Sequence, residues 1–272
     1  MRKIPVVTFV DADAVPVPGP ESHGRLADVL ATLARERIML VFCSERTRAQ
    51  VESTRQALGV FHPFICEGGG AAFVPDRYFG SDLENTRQVG GYEALEFAAP
   101  YEEVVATLRR VSDRLDLGVI GFNDMSVEQV ARECGLSLLD ARLAKLREYG
   151  EPFRLLRANA VGERHLFRAL EAAGLACRPG AAFHHAGTAK GPQAAIAVLT
   201  TLYKVAFGGI MTAGEGRLGS EVGAGQVDIS LEPRRPDAGN PLAASEWLAG
   251  LVHEIGNLRD ARLQTRAARS AR

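Results

Sequence analysis

The chain has 272 residues, enough for one large or two modest domains with ample core. Its 46% hydrophobic and 24% charged content is that of a soluble globular protein, and a net charge of −1 gives no electrostatic ground for binding nucleic acid or an anionic membrane. Four scattered cysteines without a CxxC pair argue against a zinc site or disulfide framework. Together with the lack of a signal-like or membrane-length apolar run, they predict a cytoplasmic protein.

Val6 to Val10 is an apolar, β-branched run with no helical period, the pattern of a buried parallel strand. It ends in two acids one residue apart, Asp11 and Asp13. At the carboxyl end of a parallel strand such acids point into the crevice where open α/β sheets bind ligands. An Asp-rich turn is the plainer structural alternative.

Residues 16–24 hold three prolines and form a loop. Leu26, Val29, Leu30, Leu33 and Ala34 then have the spacing of an amphipathic helix over 22–37. A second buried strand over 38–43 stops at Ser44, a helix covers 46–58, and strands at 64–66 and up to 74 flank the turn Gly68-Gly69-Gly70. This alternation predicts an α/β fold, a parallel sheet with helices on both faces, for residues 1–85 and 186–272.

Residues 86–185 change rhythm, and the pattern predicts an inserted α+β cap. It holds a strand at 92–97, helices over 101–115, 127–134, 141–146 and 163–173, and an extended PFRLL at 152–156. The winding then resumes with a loop carrying Lys190, a helix over 192–203 and a strand over 208–213 ending in Gly214-Glu215-Gly216. A strand near 227–231 and a helix over 243–255 follow. The remaining residues are basic and poor in large apolar side chains, as in a frayed tail.

Asp11 and Asp13, Ser44, Lys190 and Glu215 thus stand at strand ends that can meet in one crevice. Together they suit phosphoryl transfer from a phosphate ester. Asp11 would attack phosphorus, and Asp13 would protonate the leaving alkoxide and then activate water. Ser44 and Lys190 would hold the phosphoryl oxygens. Asp11, Asp13 and Glu215 would hold Mg²⁺, a hard cation suited to carboxylate oxygen. Ser44 also suits an N-cap, and Lys190 a solvated helix start. His184 and His185 point to opposite faces of a strand, which argues against a shared metal.

The order DxD, strand-Ser, Lys, strand-GE resembles the haloacid dehalogenase superfamily of phosphatases, and within it the mannosyl-3-phosphoglycerate phosphatases. SERTRAQVE, PFICEGGGAAFVP, GYEALEF, GFNDMS, LAKLREYGEPF and the KGPQA helix carry the likeness, from residue 6 to about 205. The resemblance implies a Rossmann-like core with a C2-type cap, Mg²⁺ as cofactor, and hydrolysis of a small phosphorylated substrate, mannosyl-3-phosphoglycerate or a related sugar phosphate. It also implies that Asn123, Asp124, Ser126, Arg147 and Glu151 of the cap recognise that substrate.

The chain departs from the family pattern at three places. DADAV stands where the family has DxDGT, Ser44-Glu45-Arg46-Thr47 replaces the family's SKT with either an extra residue or a shifted register, and the metal motif reads Glu215 with Gly219. Glu221 is the nearest spare carboxylate. These departures keep a second reading open, a catalytically impaired relative that binds a phosphorylated ligand in a regulatory role.

Overall fold

The computed structural model describes residues 3–15, 23–157, 160–188, 191–215, 218, 228–231, 240 and 242–270. Its strands form two sheets. The larger has eight strands in the order β12-β11-β1-β2-β3-β4-β6-β5. They are β1 (Val6–Asp11), β2 (Ile38–Cys43), β3 (Phe64–Cys66), β4 (Ala71–Pro75), β5 (Arg87–Val89), β6 (Tyr92–Glu96), β11 (Met211–Glu215) and β12 (Ile229–Leu231). The strands from β12 to β3 run parallel, and β4, β6 and β5 extend the sheet antiparallel.

Alternate side chains of these strands feed two separate cores. Val6, Val10, Leu40, Phe42, Phe64 and Phe73 face one side with α1 (His23–Glu36), α2 (Arg48–Leu58) and α8 (Ala243–Ser270). Val7, Phe9, Val41, Ile65 and Val74 face the other, where α7 (Gln193–Phe207) contributes Ile196, Leu199 and Tyr203. The continuous apolar runs in the sequence are therefore strands covered on both faces.

The smaller sheet has the order β7-β8-β10-β9, all neighbours antiparallel, from β7 (Val119–Gly121), β8 (Gly150–Leu155), β9 (Ala176–Arg178) and β10 (His184–Gly187). Phe153 and Ala186 of this sheet pack with Val104 and Leu108 of α3 (Tyr101–Arg114) and Leu166 and Leu170 of α6 (Ala160–Ala172). The short helices α4 (Val127–Cys134) and α5 (Leu138–Ala144) close a satellite core around Phe122 and Phe183. No helix among the described residues is long and apolar enough to cross a membrane.

Two expectations are corrected. A cap starting at residue 86 would include β5 and β6, yet both pair into the larger sheet; the segment turns toward the smaller sheet only with α3. A cap ending at 185 would likewise cut β10, which pairs through Gly187. The C-terminal segment is not frayed, because α8 continues to Ser270. It is rich in Ala, Leu and Arg, good helix formers, and its anchor is a charge rather than a large apolar side chain. Arg259 is buried and donates from Nη1 to the Glu36 carbonyl at 2.8 Å and from Nη2 to the Glu36 carboxylate at 2.7 Å. Lys3 pairs with the same carboxylate.

Replacing Arg259 by Ala removes two charge-assisted bonds between α8 and α1, and the expected cost is about 2 kcal/mol. Urea unfolding of the variant and native chains, compared at equal m-values, measures it.

Candidate active site

The register of the larger sheet fixes which residues meet at its carboxyl edge. Asp11 lies opposite Cys43, so Ser44 follows one step beyond it, and the Ser44 N–H is held by the Ile65 carbonyl at 3.1 Å. On the other flank Phe9 lies opposite Gly214, which brings Glu215 beside Val10, one residue short of Asp11. Adjacent strand ends therefore present Glu215, Asp11, Ser44 and Glu67 in that order. Lys190, Gly219 and Glu221 lie outside the described residues.

Asp11 caps a 3₁₀ turn over Ala12–Ala14, its Oδ1 accepting the Asp13 N–H at 2.9 Å. That right-handed turn accommodates Ala14 where the family pattern has glycine, since no left-handed backbone is required. Burial raises the Asp11 pKa above the usual carboxylate value; the Asp13 N–H bond opposes it, the Asp13 charge adds to it, and Arg46 opposes it.

Asp13 has a richer set of donors, all from the loop after β2. Ser44 Oγ donates to Oδ1 at 2.5 Å, the Glu45 N–H donates to Oδ2 at 3.0 Å, and Arg46 Nε lies 3.3 Å from Oδ1. Ser44 is thus committed to Asp13 and to the Arg46 N–H, 2.9 Å from its Oγ, and it is not the helix cap. Thr47 caps α2 in a capping box with Gln50, and its Oγ1 also donates to the Leu143 carbonyl of α5 at 2.8 Å. Sequence reasoning missed Arg46. The departure of Ser44-Glu45-Arg46-Thr47 from the family's SKT was the available signal, because it places a basic side chain on the acid pair.

The turn after β3 is where the smaller sheet meets this crevice. Gly68 has φ +64° and Gly69 φ +97°, backbone that glycine adopts without penalty. A Cβ on Gly68 would fall 2.3 Å from Arg178 Nη2, one on Gly69 2.2 Å from the Gly191 carbonyl, and one on Gly70 2.6 Å from Tyr149 Cβ. The glycines are therefore not a phosphate loop. They admit β9, the 148–150 turn and the chain beside Lys190 to close approach.

Glu67 precedes them in the left-handed region, at φ +49°. Its buried carboxylate accepts the N–H groups of Glu148, Tyr149 and Gly150 at 2.8, 3.0 and 2.9 Å and faces Arg147 Nε at 3.2 Å. Strain of about 1–3 kcal/mol at such a residue persists only where the surroundings over-determine it. Arg147 is itself enclosed and donates to the carbonyls of Gly150 at 2.9 Å and Glu45 at 3.2 Å.

Of the expected cap residues, Asn123, Asp124 and Glu151 are neighbours, with Arg147 within electrostatic reach of Glu151. Arg147, expected to read a substrate anion, is occupied by Glu67. Glu151 is buried, its pKa raised by desolvation against bonds from the Tyr101 hydroxyl at 2.6 Å and the Asn123 N–H at 2.9 Å. Ser126 caps α4 in a capping box with Gln129. Asp124 pairs with Arg109 and accepts the Gly121 N–H at 3.0 Å; those bonds outweigh its desolvation and lower its pKa. Asn123 is exposed, its backbone N–H on Glu151 and its side chain bonded to Asp124. Sequence reasoning missed Arg178, whose Nη2 pairs with Glu45 Oε2 at 2.8 Å. Its isolated position in β9 carries no motif signal.

Two of the ion pairs across this crevice differ in their energetics. Arg178–Glu45 is 36% and 46% exposed, and such a pair contributes roughly 0–1 kcal/mol. Arg147–Glu67 is 4% and 0% exposed, and removing one partner of such a pair costs about 3–5 kcal/mol.

No family model matches the chain. A glucosyl-3-phosphoglycerate/mannosyl-3-phosphoglycerate phosphatase from Methanococcoides burtonii is 32% identical over 232 residues, 85% of this chain and 82% of that protein. The chain belongs to this phosphatase family. A mannosyl-3-phosphoglycerate phosphatase of the family from Pyrococcus furiosus is 28% identical over 73% of this chain and 78% of its own. Among solved structures, a phosphatase of the superfamily from Bacteroides thetaiotaomicron superposes with TM-score 0.51 at 14% identity, covering 91% of this chain and 95% of its own. A haloacid dehalogenase-like hydrolase from the same organism gives 0.52 at 10% identity, covering 92% and 100%. These neighbours share the fold that the family pattern implied: an α/β core with an inserted cap.

Glu67→Gln leaves the enclosed Arg147 without a counter-charge, and the family fold is expected to lose about 3 kcal/mol of stability. Adding Arg147→Met to that variant restores a large part of the loss. Denaturant midpoints of the native, single and double variants check both statements; equal midpoints for native and single variant would show that the pair contributes nothing.

Proposed function

We propose that the chain hydrolyses a glycosyl-3-phosphoglycerate, the mannosyl or glucosyl compound, to the glycosylglycerate and phosphate. The observation that carries this reading is Asp11 and Asp13 side by side at the end of the central strand, with Ser44 and Arg46 directed at the second acid. The names of the curated relatives support the substrate.

Asp11 is the nucleophile. Its carboxylate oxygen bonds to phosphorus as the ester P–O bond breaks, giving an aspartyl-phosphate. Asp13 gives its proton to the departing alkoxide. It then takes a proton from the water that attacks phosphorus, which frees phosphate and restores Asp11. Ser44 Oγ, the Glu45 N–H and Arg46 hold Asp13 in line between these steps. Arg46 also supplies positive charge beside the phosphoryl group, a role expected of Lys190 as well.

Among the described residues no three His, Cys, Asp or Glu side chains form a metal cluster by themselves. Mg²⁺ requires less, because it keeps several waters and uses one or two carboxylates together with substrate phosphate. The all-oxygen set of Asp11, Asp13 and Glu215 at adjacent strand ends fits that demand. Bound there, Mg²⁺ would neutralise charge between the nucleophile and the phosphoryl oxygens. The reading places the reaction in the cytoplasm, in keeping with cysteines that form no CxxC pair.

Phosphate release from mannosyl- and glucosyl-3-phosphoglycerate tests the proposal. Release is expected to require Mg²⁺, to stop with EDTA, and to fall about 10³-fold or more in Asp11→Asn while circular dichroism is unchanged. The absence of release at millimolar Mg²⁺, with ligand still bound, would instead support the impaired, ligand-binding relative.

A further inference from the structure

Two arginines reach the crevice loops from the smaller sheet, and only one is free to exchange its partner. Arg147 is enclosed with Glu67 and tied to two carbonyls. Arg178 is partly open to solvent and, among the described residues, its ion-pair partner is the exposed Glu45 carboxylate. Glu45 is also the residue whose N–H holds Asp13 Oδ2 at 3.0 Å, so the Arg178 guanidinium lies one side chain away from the acid that serves the leaving group.

The surroundings of Arg178 are shaped for it. It rests over Gly68, where any Cβ would collide with the guanidinium. His185 is its direct cross-strand partner, so both side chains share a face. The neighbouring His184 ring packs against Phe153 and Phe167 on the opposite face, which directs His185 toward the crevice side. His185 Nδ1 is buried and has no hydrogen-bond partner among the described residues. A forked cation, an imidazole able to donate one N–H, and a carboxylate already seated on the cation describe a carboxylate site.

We propose that Arg178 and His185 form a subsite for a carboxylate carried by the leaving alcohol, and that the Glu45 side chain occupies it until substrate arrives. Substrate carboxylate displaces Glu45 from Arg178, and Glu45 turns to solvent while its backbone N–H stays on Asp13. The site therefore selects phosphate esters of hydroxy acids over esters of neutral alcohols. For the position of the phosphate this inference rests on the phosphatase reading.

The test is calorimetric titration of the full-length Asp11→Asn chain with 3-phosphoglycerate and with glycerol 3-phosphate, which differ at the carboxylate. The first is expected to bind about 10- to 100-fold more tightly. Adding Arg178→Met collapses that ratio toward unity, and Arg178→Lys keeps part of it. Glu45→Gln tightens 3-phosphoglycerate by about three- to fivefold by vacating the site. Equal affinity for the two ligands in the parent overturns the subsite. So does an Arg178→Met variant that weakens both in proportion, because Arg178 would then only position the loop. Turnover by the native chain is read separately. The preference without phosphate release would sink the phosphatase reading and leave the subsite standing, and release without preference would do the reverse.

Discussion

The Glu67 carboxylate is the constraint on which the rest of the crevice depends. It is fully buried, and a buried charge is tolerated only when each of its lone pairs has a donor. Here three successive backbone N–H groups, Glu148 to Gly150, and the Arg147 guanidinium supply them. The geometry leaves little freedom. The 147–150 turn must lie against the end of β3, and β8, which starts at Gly150, must leave from that point. That carboxylate therefore fixes where the smaller sheet begins. Because Arg147 also holds the Glu45 carbonyl, the same pair fixes the loop that carries Ser44 and Arg46.

Close backbone approach completes the arrangement. The three consecutive glycines after Glu67 each remove a side chain from a different contact: Arg178, the Gly191 carbonyl and Tyr149. A second layer of charge closes around the same turn. Glu148 is shared by Arg48 of α2 and Arg87 of β5, and the Tyr149 hydroxyl donates to Glu96 of β6. The antiparallel strands β5 and β6 therefore belong to the larger sheet in function as well as in pairing. They form the wall against which the turn is braced.

Much of the fold was legible in the sequence because apolar periodicity reports burial directly. The limits of β2 and α4 agree with the periodic pattern to the residue, since both segments pack by apolar side chains. The sequence reading failed where charge does the packing. Arg259 looked like part of a solvated basic tail, yet it is buried against Glu36 and carries α8 past the expected end. β5 and β6 looked like the start of the insertion because the edge strand is polar and partly exposed. Glu67, Arg147 and Arg178 are charged residues whose meaning comes from partners 81, 80 and 133 positions away, separations that no local pattern contains. The acid pair was legible for the converse reason: two carboxylates at the end of an apolar strand contradict their local context.

The departures from the family pattern also gain a physical account. Two acids one residue apart repel, and a family loop reading SKT would answer them with a lysine directly after the serine. Here that position is Glu45, and the cation comes one residue later, from Arg46, whose fork reaches both the Asp13 carboxylate and its carbonyl. The displaced acid is not wasted. Its N–H still serves Asp13, while its side chain leaves the pair and goes to Arg178 across the crevice. Consecutive residues of the loop thus take separate tasks. Arg46 balances the acid pair, and Glu45 links it to the smaller sheet. The loop's divergence is consistent with retained chemistry, because each charge it moves is matched by a partner on the opposing surface.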